Sequence, residues 1–289
     1  MDHDAFSKCH PVVNFVFFLG AIGFGVVIQH PVYLLLGCIC AAAYYLILRG
    51  KPGWKLVIGM VPAFVFLSVI NPLFNTYGEM ALFTVFGNPY TLEALFYGMV
   101  IAGIFVVMML WFNCYSIVLT SDKFVCLFGS LIPSLSLLLV MVLRMIPNLM
   151  RKGKQIIGVR KSIGKGAGAD STKREKLLGG MTMLSALTDW ALEGSIVTAD
   201  SMRSRGYGAE KRTSFQIYRM TMRDWLLLAV MLLLAAAVIL AGGTEASFTP
   251  VLYIASPTWG LAAYIAFLLI PIVLHVKEAL QWHISISRI

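Results

Sequence analysis

The sequence predicts an all-α, polytopic membrane protein of about six transmembrane helices, with a cytoplasmic domain of long helices between spans four and five. Three observations predict it. Of 289 residues, 59% are hydrophobic and only 13% charged, whereas soluble domains are nearer half apolar and a quarter charged. Apolar runs approach the ~20 helical residues that cross a ~30 Å hydrocarbon core. The basic residues behind the net charge of +9 are concentrated in one stretch.

The start, MDHDAFSKCHP, lacks the basic region, short apolar core and small-residue site of a cleaved signal peptide, so the first apolar run is expected to stay as a membrane helix. Apolar runs follow at Val12–Ile28, Val32–Leu48, Leu56–Ile70, Leu92–Val118, Trp225–Ala241 and Gly260–Val276. Arg49, Lys51 and Lys55 lie at the second loop, Lys123 after the fourth run, and Lys277 and Arg288 after the sixth. No Lys or Arg occurs between Lys55 and Lys123, nor over residues 242–259. Positive charge marks cytoplasmic loops. The assignment is therefore six spans, both termini cytoplasmic, and an external loop at Asn71–Thr91. The chain divides into residues 1–121 with spans one to four, a cytoplasmic block at 122–223, and residues 224–289 with spans five and six.

Between Arg144 and Arg223 stand 16 of the 23 Lys and Arg residues against six acids. Orientation needs only a few charges, so this stretch is more basic than topology demands. The short run Leu135–Leu143 cannot span a bilayer and reads as part of a helix over Ser134–Val159, which Pro147 is expected to kink or interrupt. The small-residue stretch GKGAGADST at 164–172 breaks the pattern. A second helical run follows over Lys176–Met202, long enough for two helices with a bend at Gly194, and stops at Gly206 and Gly208. Eight methionines lie in or beside the block, among them Met141, Met150, Met183 and Met202. They serve either as helix filler or as a surface that re-packs against partners.

Each long helix ends on basic residues and a glycine: Arg160, Lys161, Ser162, Ile163 and Gly164 in the first, Arg203, Ser204, Arg205 and Gly206 in the second. Two readings fit. Basic side chains compensate a helix C-terminus and attract anionic lipid. Alternatively, arginine forks offer directional donors to carboxylates on a partner. The residues alone leave both open.

Chemistry is mostly excluded. His3, His10, His30, His275 and His283 are scattered, and no metal-ligand spacing occurs. Gly164-Lys-Gly-Ala-Gly-Ala lacks the GK[ST] ending of a nucleotide-binding loop. Cys9, Cys38, Cys40, Cys114 and Cys126 form no CxxC pair and read as small hydrophobes. Buried acids are scarce: Glu93, at the outer start of span four, is the only plausible one and reads as an interfacial cap. Such spans hold no proton relay and no polar path. The expectation is a protein without catalytic, cofactor or metal residues, in contact with lipid and not with nucleic acid.

Several stretches resemble one family, the transmembrane T component of energy-coupling factor (ECF) transporters, a class of ABC importers. They are Thr120-Ser-Asp-Lys123, Leu143-Arg-Met-Ile-Pro147 and above all Ala199-Asp-Ser-Met-Arg-Ser-Arg-Gly-Tyr-Gly208. Asn71-Pro-Leu-Phe-Asn75 and Thr91-Leu-Glu-Ala94 are similar to a subgroup. The family carries two Ala-Arg-Gly-type motifs at the ends of cytoplasmic coupling helices. Ser204-Arg205-Gly206 resembles the second, with Ser for Ala. At the first, Ser162-Ile163-Gly164 places Ile163 where the family has arginine. There, either Arg160 and Lys161 supply the contact from another turn, or docking leans on Ile163.

The resemblance implies a non-catalytic scaffold in the cell membrane. Two ABC ATPase subunits would dock on the helix ends, one each. A small membrane S component would carry the vitamin or other micronutrient. ATP-driven motion of the ATPases would move the coupling helices and topple the S component. The alternatives are a conventional ABC importer permease with its own substrate path, and a lipid-modifying membrane enzyme, which would need an acid or histidine cluster that the sequence lacks.

Overall fold

The computed structural model describes residues 5–75, 81–85, 88–129, 133–164, 172–207, 218–243, 246–247, 253–254, 256 and 258–286. The chain forms two compact units. One comprises Met1–Phe124 with Tyr218–Ile289, the other Val125–Ile217.

Helices build the first unit: α1 (Pro11–Val27), α2 (Pro31–Arg49), α3 (Trp54–Phe74) behind a single 3-10 turn at Lys51–Gly53, α4 (Leu92–Val118), α8 (Met222–Ala241) and α9 (Gly260–Ile286). α1 and α2 begin the same way. In each, a His-Pro-Val triplet sets proline at the first helical position, where its fixed φ suits the helix and no N–H is needed. The preceding histidine caps the end: His10 Nδ1 accepts from Val12 N at 3.3 Å and His30 Nδ1 from Val32 N at 3.2 Å. Two of the five histidines thus serve as helix caps, a use their scatter along the sequence hid.

Among the described residues, five helices are long and apolar enough to cross a membrane: α2, α3 with its leading turn, α4, α8 and α9 to Gln281. The chain has the build of a multi-pass membrane protein. α1 has 17 residues, about 25 Å of helix at 1.5 Å per residue. Pro11 fixes its start, and the extended Ile28 (φ −85°, ψ 106°) ends it.

The core of this unit is aromatic. Trp111 of α4, fully buried, meets Phe17 of α1 edge-on at 5.5 Å between centroids and Tyr44 of α2 at 6.3 Å. Phe17 stacks on Phe267 of α9 at 5.3 Å. Phe6, ahead of α1, inserts edge-on at 5.1 Å from Phe17. Such pairs add to the apolar area they bury. α3 and α4 approach closely because Gly98 has no side chain; a Cβ there would lie 2.6 Å from the Ser68 carbonyl oxygen.

Two hairpins interrupt the helical pattern. β1 (Ala81–Val85) pairs antiparallel with β2 (Asn88–Thr91), and β3 (Ala246–Ser247) with β4 (Tyr253–Ile254). The first occupies part of the stretch read from sequence as a plain loop. Tyr90 anchors it, its hydroxyl donating to the Val69 carbonyl of α3 at 3.4 Å. Glu93 is not the cap of α4: Thr91 is, its Oγ1 accepting from Ala94 N at 3.3 Å. A short helix, α5 (Ser121–Gly129), follows α4 and crosses the boundary between the units.

The second unit is dominated by α6 (Pro133–Ser162) and α7 (Lys173–Ser204). Each runs as one helix, without an interruption at Pro147 or a division into two at Gly194. Proline at 147 removes only the rung to Leu143 from a 30-residue helix. In α7, Thr172 and Glu175 close a capping box, with Thr172 N–H donating to Glu175 Oε2 at 3.0 Å and Glu175 N–H to Thr172 Oγ1 at 3.4 Å. The helix then runs through Gly194, whose carbonyl accepts from Thr198 Oγ1 at 2.7 Å.

Candidate functional site

α6 and α7 pass each other antiparallel. Gly153 faces Met183 and Leu187, and a Cβ on it would lie 3.0 Å from the Met183 methyl. Beside this contact, Lys152 Nζ lies 5.7 Å from the Trp190 ring centroid, a cation–π pair. Further toward the α6 terminus, the Arg160 guanidinium lies over Gly179. The C-terminus of α6 therefore belongs to one arm of the hairpin and the C-terminus of α7 to the opposite arm. Ser162 is about 13 Å of helix beyond Gly153, and Ser204 about 26 Å beyond Leu187.

The α7 end is a Schellman motif. Tyr207 N–H donates to the Met202 carbonyl at 3.1 Å and Gly206 N–H to that of Arg203 at 3.0 Å. Gly206 is left-handed at φ 76°, a conformation that costs an L-residue with a side chain about 1–2 kcal/mol. Arg205 is the cap residue (φ −85°, ψ 7°). Ser204 Oγ donates to its own helix at the Ser201 carbonyl, 2.9 Å away. Arg203, Arg205 and Tyr207 are exposed. Neither arginine is in an ion pair with a described residue.

The α6 end repeats this register. Gly164 is left-handed at φ 75°, its N–H donating to the Lys161 carbonyl at 3.2 Å. Ser162 Oγ donates back to the Gly158 carbonyl at 3.1 Å. Lys161 thus corresponds to Arg203, Ser162 to Ser204, Ile163 to Arg205 and Gly164 to Gly206. Ile163 stands at the cap position, 62% exposed, where the other end presents a guanidinium. Arg160, half-buried against α7, corresponds to Met202 and does not reach the cap.

Chemically, the α7 end offers exposed guanidinium donors suited to a carboxylate, and the α6 end an apolar tip beside one lysine. Neither gathers groups for bond-making chemistry. Hydroxyls along α7 turn onto its own carbonyls, as Thr182 does to Leu178 at 2.8 Å and Thr188 to Leu184 at 2.9 Å. Its outward surface is left to side chains such as Leu177, Met181, Leu184, Ile196 and Val197, all exposed.

Lys165, Gly208, Lys211 and Arg212, also singled out in the sequence, lie outside the described residues. Among the described residues no three of His, Cys, Asp and Glu come together as metal ligands. Lys123, used in the sequence only as a mark of orientation, is 5% exposed, and its ammonium is held by Ser7 and Val118. Asp224, one residue before the fifth apolar run, is likewise buried. Thr221 and Val118 are local partners of the two, while the partners that tie them to residues 5–10, Ser7 and His10, are distant in sequence and leave no local signal. Compared with protein-family models and with curated proteins, the chain matches none.

Proposed function

We propose that this chain is the non-catalytic transmembrane scaffold of an ECF-type ABC importer. One observation carries the reading: two helix ends of the same cap register, each projecting exposed side chains from a left-handed glycine stop, on opposite arms of one hairpin. One unit that must grip two related partners at once needs such a duplicated, separated pair. In this reading each end docks one ABC ATPase subunit, and nucleotide hydrolysis belongs to those subunits. α1 joins the five longer helices as a sixth, short span. Both termini and residues 125–217 face the cytoplasm. A separate small S component binds the vitamin or micronutrient, the exposed apolar face of α7 offers it a surface, and motion of the ATPase pair reaches it through α6 and α7.

Purification of the tagged full chain from its native membrane, with quantification of every co-purifying polypeptide, tests this. The expected composition is two ATPase chains and one small membrane protein per scaffold. Recovery as a homodimer carrying substrate without a third protein would instead show a conventional permease. Recovery alone with lipid-modifying activity would overturn both.

A further inference from the structure

Residues 5–10 form a short turn ahead of α1, closed by Lys8 N–H to the Ala5 carbonyl at 3.3 Å and Cys9 N–H to Phe6 at 3.1 Å. Phe6 is fully buried and wedged edge-on between Phe17, Phe18 and Tyr44.

On one side lies Lys123, in the first turn of α5 just after α4 and two residues before the second unit begins. An ammonium can be buried only if its donors are met. Lys123 Nζ donates to the Ser7 carbonyl, to Ser7 Oγ at 3.1 Å, and to the Val118 carbonyl at the C-terminus of α4, 2.9 Å away. Asn14 of α1 completes the nest: in the amide orientation that satisfies both of its atoms, its oxygen lies 3.3 Å from Lys123 Nζ and its nitrogen donates to the Phe6 carbonyl at 2.9 Å. On the other side lies Asp224, in the first turn of α8, six residues after the chain returns from the second unit at Tyr218. Its Oδ2 accepts from Thr221 N–H at 3.0 Å and Thr221 Oγ1 at 2.8 Å, and its Oδ1 from His10 N–H at 3.3 Å. An exposed ion pair, Lys8 to Glu278 of α9 at 2.7 Å, adds a third, weaker tie.

We propose that residues 5–10 are a clasp joining the two roots of the second unit, with Lys123 and Asp224 as its positioning residues. The end of α4 and the start of α8 are the only covalent routes by which displacement of residues 125–217 reaches the first unit. The clasp ties both to one turn anchored by the buried Phe6, so that the roots move together and drive α1, α4, α8 and α9 as a body. Its part in transport rests on the scaffold reading above; the mechanical tie does not.

Hydrogen exchange on the purified full chain in detergent tests the tie, with Lys123→Met and Asp224→Asn compared with the unsubstituted chain and with Lys8→Ala. Lys123→Met should speed exchange at least fivefold in residues 5–10 and also at 221–226, the other root. Asp224→Asn should do the reciprocal at 118–125. Faster exchange confined to the substituted root, in whichever variant folds, overturns the clasp. Lys8→Ala should leave both roots within twofold. In vesicles reconstituted with the co-purified partners, Lys123→Met should keep ATP hydrolysis within twofold while uptake per ATP falls about tenfold. An unchanged uptake-to-hydrolysis ratio, with the far root loosened, overturns the coupling role. If the unsubstituted chain brings no ATPase, the scaffold reading fails while the exchange result still decides the clasp.

Discussion

The C-terminal ends of α6 and α7 share a backbone and differ by one side chain that matters. Each has a hydroxyl residue folded onto its own helix, a cap residue, and a left-handed glycine at φ 75° and 76°. At the cap stands Ile163 in one and Arg205 in the other. Compensation of the helix dipole acts at both ends, through Arg160 and Lys161 in the last turn of α6 and Arg203 in that of α7, and so does not account for the difference at the cap. The docking proposed above would account for it: a guanidinium for a carboxylate-bearing site, an apolar tip for a site without one. On that reading, ends so distinguished would seat two partner subunits in a fixed orientation.

The largest effect should come from reversing the charge at the cap of α7. Arg205→Glu replaces donors with a repelling acceptor, and ATPase retention on the purified scaffold should fall at least about a hundredfold, some 2.8 kcal/mol. The reversed apolar case is smaller: Ile163→Asp should weaken retention about tenfold, measured in the same pull-down, because a carboxylate would be desolvated in an apolar site. If Ile163→Asp costs more than Arg205→Glu, the ranking of the two ends is inverted.

Removing the shared template should then affect both ends alike. Gly206→Val and Gly164→Val each force a β-branched residue to positive φ, at about 1–2 kcal/mol. Hydrogen exchange should show the last turn of the affected helix fraying while the other end is unchanged. Smallest of all, Ser204→Ala removes one exposed hydroxyl bonded to its own helix and should leave retention within about twofold. A large loss there would show that the hydroxyl, and not the arginine beside it, meets the partner.

The apolar helices were legible because composition and length alone specify them. The two helix ends were legible because glycine stops and terminal basic residues are local signals. Their shared register was not, since matching Ile163 to Arg205 rather than to Arg203 depends on which residue takes the cap dihedrals. Pro147 and Gly194 misled for the same reason: each weakens a helix locally, while the capping box at Thr172 and the packing of Gly153 on Met183 belong to the whole hairpin. The hairpin at 81–91, with Tyr90 reaching Val69, and the clasp around Lys123 and Asp224 depend on residues distant in sequence, to which periodicity is blind.

The most direct measurement is ATPase retention on purified Arg205→Ala scaffold, read beside membrane insertion and substrate uptake. Truncating one charge-assisted contact should cost about 1.5–3 kcal/mol. Retention and uptake should therefore fall at least about tenfold, with the amount of scaffold in the membrane unchanged. Normal retention and uptake by Arg205→Ala would contradict the account, because the α7 end would then be a solvated helix terminus and not a docking point.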